Sequence, residues 1–175
     1  MEELEKAEQY LFSCPSLQNL TDDLLLSKDN PRFAGDMVLL SRIRRAQGRR
    51  VDALRLASKA LIYRRRLLGN RFSTCDSMHD VAGLLMEDKT THGTALSVLQ
   101  ELVSITEGFV STSGQGQLAR AYHRLAVLYD RLEDKTKSET YKEKALTVAR
   151  KLSPETHEID PEEIDFAKFC PWMLW

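Results

Sequence analysis

Apolar residues recur along this chain at helical spacing. Leu125, Leu128, Tyr129 and Leu132 fall at i, i+3, i+4 and i+7, which is one face of a helix. Leu54, Ala57 and Leu61 trace a similar face, with Arg64 at its surface end. The pattern then repeats in three segments: "MVLLSRIRRAQGRRVDALRLASKALIYRRRLLG", "MHDVAGLLMEDKTTHGTALSVLQELVSITEGF" and "YHRLAVLYDRLEDKTKSETYKEKALTVARKL". Each predicts an apolar helix, a short polar turn and a second amphipathic helix. The anchors "LLSRI" at Leu39, "VAGLL" at 81–85 and "LAVLY" at 125–129 lie 42 to 44 residues apart, as do "KAL" at 59–61, "ELV" at 101–103 and "KAL" at 144–146. A period of that length predicts an array in which each helix pair buries its face by stacking on a neighbour. The small residues Ser41, Ala82 and Ala126 occupy the same point of each first helix and allow two helices to approach closely. Gly48 in "AQGRR" predicts a helix stop, and Thr136 in "EDKT" predicts the cap of the last helix.

The ends differ from the middle. "ELEKAEQYL" places Leu4, Ala7, Tyr10 and Leu11 on one face, as in the second helix of a repeat whose first helix is missing. Pro15 breaks the chain, and "TDDLLLS" predicts a short helix capped by Thr21. Residues 1–30 are therefore expected to be a half-repeat or cap, or to show that the chain starts inside an array. At the other end Asp160 predicts an N-cap and Pro161 a first helical residue, giving a capping helix over about 160–169 that Pro171 ends. Its Phe166 and Phe169 can cover the apolar face that the last repeat leaves open. Trp172, Met173, Leu174 and Trp175 then form an apolar tail, expected to fold back as part of the cap or to serve as a docking peptide.

Composition narrows the picture. Hydrophobic residues make up 42% and charged residues 29% of the 175 positions, enough apolar mass for one compact domain or a short array. Only 8 glycines and 5 prolines argue for helices rather than sheets and turns. The net charge of −1 supplies no global field toward nucleic acid or an anionic membrane. No apolar run reaches the roughly 18 residues that a membrane span needs. The acidic N-terminus does not read as a signal peptide. The 3 cysteines, Cys14, Cys75 and Cys170, are odd in number and far apart, which points to a reducing, cytoplasmic compartment rather than a disulfide framework.

Candidate chemistry is sparse. The chain contains no GxSxG, no glycine-rich phosphate loop, no HExxH and no CxxC. Cys75 and His79 share a helical face and His123 sits at the equivalent place one repeat later, but zinc needs three or four ligands. Ordinary polar contacts of the inner surface are the expected role, and neither an enzyme, a cofactor nor a metal is expected. "SRIRRAQGRR" and "YRRRLLG" make a basic patch. Nucleic-acid binding would want a wider basic face interleaved with aromatics. The expectation is instead a solvated helix face, or salt bridges to Asp76, Asp80, Glu87 and Asp88 of the next repeat. Recognition of an acidic peptide is a third use of these arginines.

"RLAVLYDRLEDKTKSETYKEKAL" and "AQGRRVDALRLASKAL" resemble tetratricopeptide repeats, specifically the roughly 42-residue kind of kinesin light chains and many fungal tetratricopeptide proteins. The middle unit departs from the pattern, with Leu102 where alanine is usual, His92 and Gly93 in the turn, and one extra residue. The resemblance spans residues 33–152 and implies an all-α, right-handed superhelix of antiparallel helix pairs. About three repeats are expected, at 31–69, 70–110 and 115–152, with a half-repeat before them and a capping helix and tail over 153–175. It also implies a concave groove lined by the first helices, which binds a peptide or helix of a protein partner. The groove positions become Val38, Arg42 and Arg45 in the first repeat; Asp76, His79, Gly83, Met86 and Glu87 in the second; and Arg120, His123, Val127, Asp130 and Arg131 in the third. The chaperone-binding carboxylate clamp of some relatives does not transfer. Its positions read Val38, Arg42, Asp80, Arg120 and Arg124, with no asparagine and with an aspartate that repels a carboxylate. The asparagine-rich first helices of kinesin light chains are missing too. In fungal proteins with similar repeats the array is often the C-terminal sensor or oligomerisation part of a larger multidomain protein. The second expectation is accordingly a homo-oligomer that stacks through the half-repeat and the tail. A concentration-independent monomer in light scattering would sink it.

Overall fold

The computed structural model describes residues 2–15, 17–153 and 164–169, and among them there are helices and connections but no strand. The chain forms two compact units, residues 1–85 and 86–175. The N-terminal unit contains α1 (Glu2–Phe12), α2 (Asp22–Ser27), α3 (Ala34–Ala46), α4 (Arg50–Leu68) and α5 (Phe72–Leu85). Among the described residues the C-terminal unit contains α6 (His92–Glu107), α7 (Thr112–Arg131), α8 (Lys135–Leu152) and two 3₁₀ turns, Lys89–Thr91 and Phe166–Phe169.

In the N-terminal unit α3 packs against α4, and α4 against α5. The core is Leu17, Leu25, Met37, Leu40, Leu56, Ala60 and Tyr63. Each fully buried leucine contributes about 1.5–3 kcal/mol. Ser41 lies in the α3–α4 contact and donates its hydroxyl to Ala53 O at 2.8 Å, so a small polar residue both permits the approach and finds an acceptor. Gly48, at φ 77°, takes the left-handed position that ends α3. Thr21 caps α2, its Oγ1 accepting from Leu24 N at 3.2 Å.

The face of α1 is not the one that spacing predicts. Tyr10 is 76% exposed and Ala7 is exposed, while Glu8, Leu11 and Phe12 turn inward. The reason is electrostatic. Arg44 of α3 is nearly buried and donates to Glu8 Oε2 at 2.7 Å and to both carboxylate oxygens of Asp22 at 2.7 Å. Gln47 joins Arg44 and Glu8, and Arg49 reaches Asp22 at 3.2 Å. Pairing Arg44 therefore selects the rotation of α1, because a buried guanidinium without partners would cost several kcal/mol.

In the C-terminal unit α7 packs on α6 and on α8. Leu118, Ala119, Tyr122, Ala145 and Ala149 form a core that Ile164 and Phe166 complete. Ala126 is buried, and its carbonyl accepts from Ser138 Oγ at 3.0 Å. Two sequence expectations shift by a few residues. Leu132 follows the end of α7 and is 42% exposed, since the chain turns before it can face the core. Asp134, not Thr136, caps α8, because its carboxylate reaches Lys137 N at 3.0 Å. Of the expected helix over 160–169, the described part, residues 164–169, holds one 3₁₀ turn at Phe166–Phe169; Asp160 and Pro161 lie outside the described residues. The tail Trp172, Met173, Leu174 and Trp175 lies outside them as well, as does Cys170.

Candidate functional site

Six groove positions fall in α3 and α5 of the N-terminal unit. Val38, Asp76 and His79 are buried, so they belong to the packing between helices rather than to a contact surface. Gly83 is half-buried, and Arg42 and Arg45 reach solvent to different degrees. Arg42 grips Asp80 Oδ2 through Nη2 at 2.9 Å and Nε at 3.3 Å. Nearby, Arg64 donates to Ser73 O at 2.7 Å and Ser77 Oγ at 3.1 Å. Burial pushes the Arg64 guanidinium down from its usual range, against the pull of Asp76 and Asp80. The basic patch is thus largely consumed by the protein itself. Arg42 finds its partner in α5 as expected. Arg44, Arg49, Arg55 and Arg66 instead pair with carboxylates of the N-terminal segment: Asp22 for the first two, Asp23 for Arg55 and Asp29 for Arg66. Spacing along the sequence carries no signal for pairs this distant.

In the C-terminal unit the groove positions form two groups. Met86, Glu87 and Arg131 come together at the start of α6. The Met86 carbonyl accepts from Arg131 Nη1 at 2.6 Å and lies 3.1 Å from His92 Nε2. His123, Val127 and Asp130 line the second group, a cleft of about 470 Å³ between α7 and α8. Its floor is Ala126, Val127, Ala145, Leu146 and Phe166, and its rim is Asp130, Lys135, Ser138, Glu139 and Lys142. The rim pair Asp130–Lys135 closes at 2.6 Å on the exposed side. Phe166 stacks on the His123 imidazole at 4.4 Å with the rings 15° apart. Burial lowers the His123 pKa, and the charge on Arg124 lowers it further, so the ring facing Phe166 is the neutral one near pH 7. Arg120 is half-buried on the same helix. The α8 side of the cleft carries no signal in the repeat pattern, which places groove positions on the first helices alone.

Behind the cleft, Tyr129 and Tyr141 stack at 5.4 Å, and Lys137 and Lys144 lie over these rings. Tyr122 donates to Glu107 at 2.7 Å; burial, then that bond, raises its pKa. These contacts rigidify α7 and α8 rather than offering reactive groups. Among the described residues no group of three or more histidines, cysteines or acids is placed to hold a metal. No helix among them is long and apolar enough to cross a membrane.

Residues 118–158 match the tetratricopeptide repeat family. That repeat covers most of α7, all of α8 and every residue lining the cleft except Phe166. Across 98% of the chain the fold is similar to that in the crystal structure of BtubC (BKLC) from P. vanneervenii, a kinesin light chain-like tetratricopeptide protein, with a TM-score of 0.64 at 16% identity. The chain spans 65% of that protein's length. No curated protein sequence matches the chain.

Proposed function

We propose that this chain is a non-catalytic interaction module that holds a peptide or helix of a protein partner on the first helices of its repeats. Tetratricopeptide repeats are in general protein-interaction and scaffold modules. The repeats in this reading are residues 31–69, 70–110 and 115–152. The observation that carries it is the α7–α8 cleft. It has an apolar floor and a rim of both charge signs, and Val127 is half-exposed at its base. Such a cleft can bury one aliphatic or aromatic anchor while its rim discriminates by charge. Arg42, Arg45 and Glu87 add charged positions that reach solvent. A reducing, cytoplasmic setting fits the exposed thiol of Cys14.

Selection from a random peptide library against the full chain tests this. The expected result is a peptide family whose binding falls about tenfold or more with Val127→Arg, since a cation would then fill the floor. The paired change Arg42→Glu with Arg120→Glu should weaken peptides that rely on charge. A library that yields no binder sinks the reading.

A further inference from the structure

Gly116 and His123 lie two turns apart on one face of α7, and a second stretch of the same chain lies along that face. Ile164 and Phe166 are buried against it, at 8% and 5% exposure. The Phe166 ring covers His123 at 4.4 Å. Phe169 sits at Gly116, so close that a Cβ there would stand 2.3 Å from the Phe169 carbonyl oxygen. The segment is therefore antiparallel to α7. It holds its own shape, with Asp165 Oδ1 accepting from Ala167 N at 3.0 Å and Lys168 N donating to Asp165 O at 3.1 Å. One helical turn, two rings three residues apart, and one backbone contact at a glycine are the features of a short docked peptide. Past Phe166 the cleft continues unfilled for about 470 Å³, over Val127, Leu146 and the Lys142 rim.

We propose that this cleft is a binding site for a partner segment of the form aromatic-x-x-aromatic in a single helical turn, and that residues 164–169 occupy part of it in cis as a built-in competitor. The proposal deepens the interaction-module reading and rests on it. A tethered competitor acts at an effective concentration in the millimolar range, so a partner segment making only the same contacts is suppressed. A segment that also places an apolar side chain over Val127 and Leu146 gains about tenfold to a hundredfold and displaces the competitor. The cis segment thus sets a threshold that only the larger ligand passes.

The probe is a labelled peptide with the sequence of residues 164–169, Ile-Asp-Phe-Ala-Lys-Phe, titrated against the full chain. The double substitution Phe166→Ser with Phe169→Ser empties the cleft and should raise its affinity for the probe about tenfold or more over the unaltered chain. Adding Gly116→Leu should abolish that gain, because leucine keeps the helix while filling the space that Phe169 needs. Equal affinity with and without the double substitution overturns the proposal, as does indifference to Gly116→Leu. Hydrogen exchange on the unaltered chain supplies a readout independent of variant folding. The amides of 167–169 should exchange at least about a hundredfold faster than those in the middle of α7. Equal protection would make the segment part of the cooperative core and overturn the proposal. A library peptide that binds regardless of Gly116→Leu defeats this inference and leaves the module reading standing; a chain that binds no peptide sinks both.

Discussion

The two units cover an outer helix face with opposite chemistry. In the N-terminal unit, α1 and α2 pack Leu11, Phe12 and Leu25 on the core and are locked to α3 by a charged knot in which Arg44 meets Glu8, Asp22 and Gln47. In the C-terminal unit, the segment 164–169 is held to α7 by rings and by an absent side chain, at His123–Phe166 and at Gly116. A helical repeat needs some cover over the face that would otherwise meet a neighbour. Charge supplies it through directed bonds that resist rotation and partial loosening. Stacked rings supply it through burial, which another apolar group can replace. The first design suits a permanent anchor and the second an exchangeable one.

That contrast can be broken in three places. The largest effect is expected at Arg44. Arg44→Met leaves Asp22 with Arg49 as its remaining cationic partner and Glu8 without its guanidinium, and should cost about 3 kcal/mol in urea unfolding of the full chain, the low end for a broken buried pair. Replacing Arg44, Glu8 and Asp22 together by apolar residues should recover most of that loss. A cost below about 1 kcal/mol for Arg44→Met would mean that the knot is solvated and the contrast false. Next is Phe166→Ala, expected to remove about 1.5–3 kcal/mol from the C-terminal unit and to leave α1 protection in hydrogen exchange unchanged. Loss of α1 protection in that variant would show that the two covers are not independent.

Acid titration separates them with a smaller effect. The hydrogen bond from Arg44 leads the causes that hold the Glu8 carboxyl below its usual range. Its stabilisation is present above the ordinary carboxylate value of about 4.3 and is lost as pH falls through the lower folded value. The His123 pKa is also lowered, so the neutral ring's contribution is present above about 6.5 and drains away as pH falls through the folded value. The C-terminal segment should therefore loosen in mild acid, well before α1 does. Hydrogen exchange at the amides of 167–169 reports the first event, and helical circular dichroism reports the second. Simultaneous transitions would count against the assignment.

What the sequence made legible follows from how local each signal is. The helix pairs were readable because an apolar face repeats every turn and the pairs repeat every 42 to 44 residues. Phe166 and Phe169 were readable as cover for the last repeat, because aromatic residues after a final helix have little else to bury against. The charged knot was not, since Asp22 and Arg44 are joined only by the fold. That omission also misassigned Tyr10, which apolar periodicity placed inward and Arg44 turned outward by drawing in Glu8. The same limit applies to the cleft. Its α7 half falls at the positions that the resemblance to tetratricopeptide repeats assigns to a groove, whereas Lys135, Glu139 and Lys142 enter from the paired helix.

The turns after α3 and α7 share one backbone design, with Arg49 N bonding Arg44 O at 2.8 Å in one and Asp134 N bonding Tyr129 O at 3.0 Å in the other. The left-handed residue is Gly48 in the first and Glu133, at φ 62°, in the second. A side chain in that conformation carries a strain of about 1–2 kcal/mol that glycine does not. Glu133→Gly is thus a route to a hardier scaffold, with a few degrees of added heat tolerance, for anyone wishing to re-engineer this cleft as a peptide receptor.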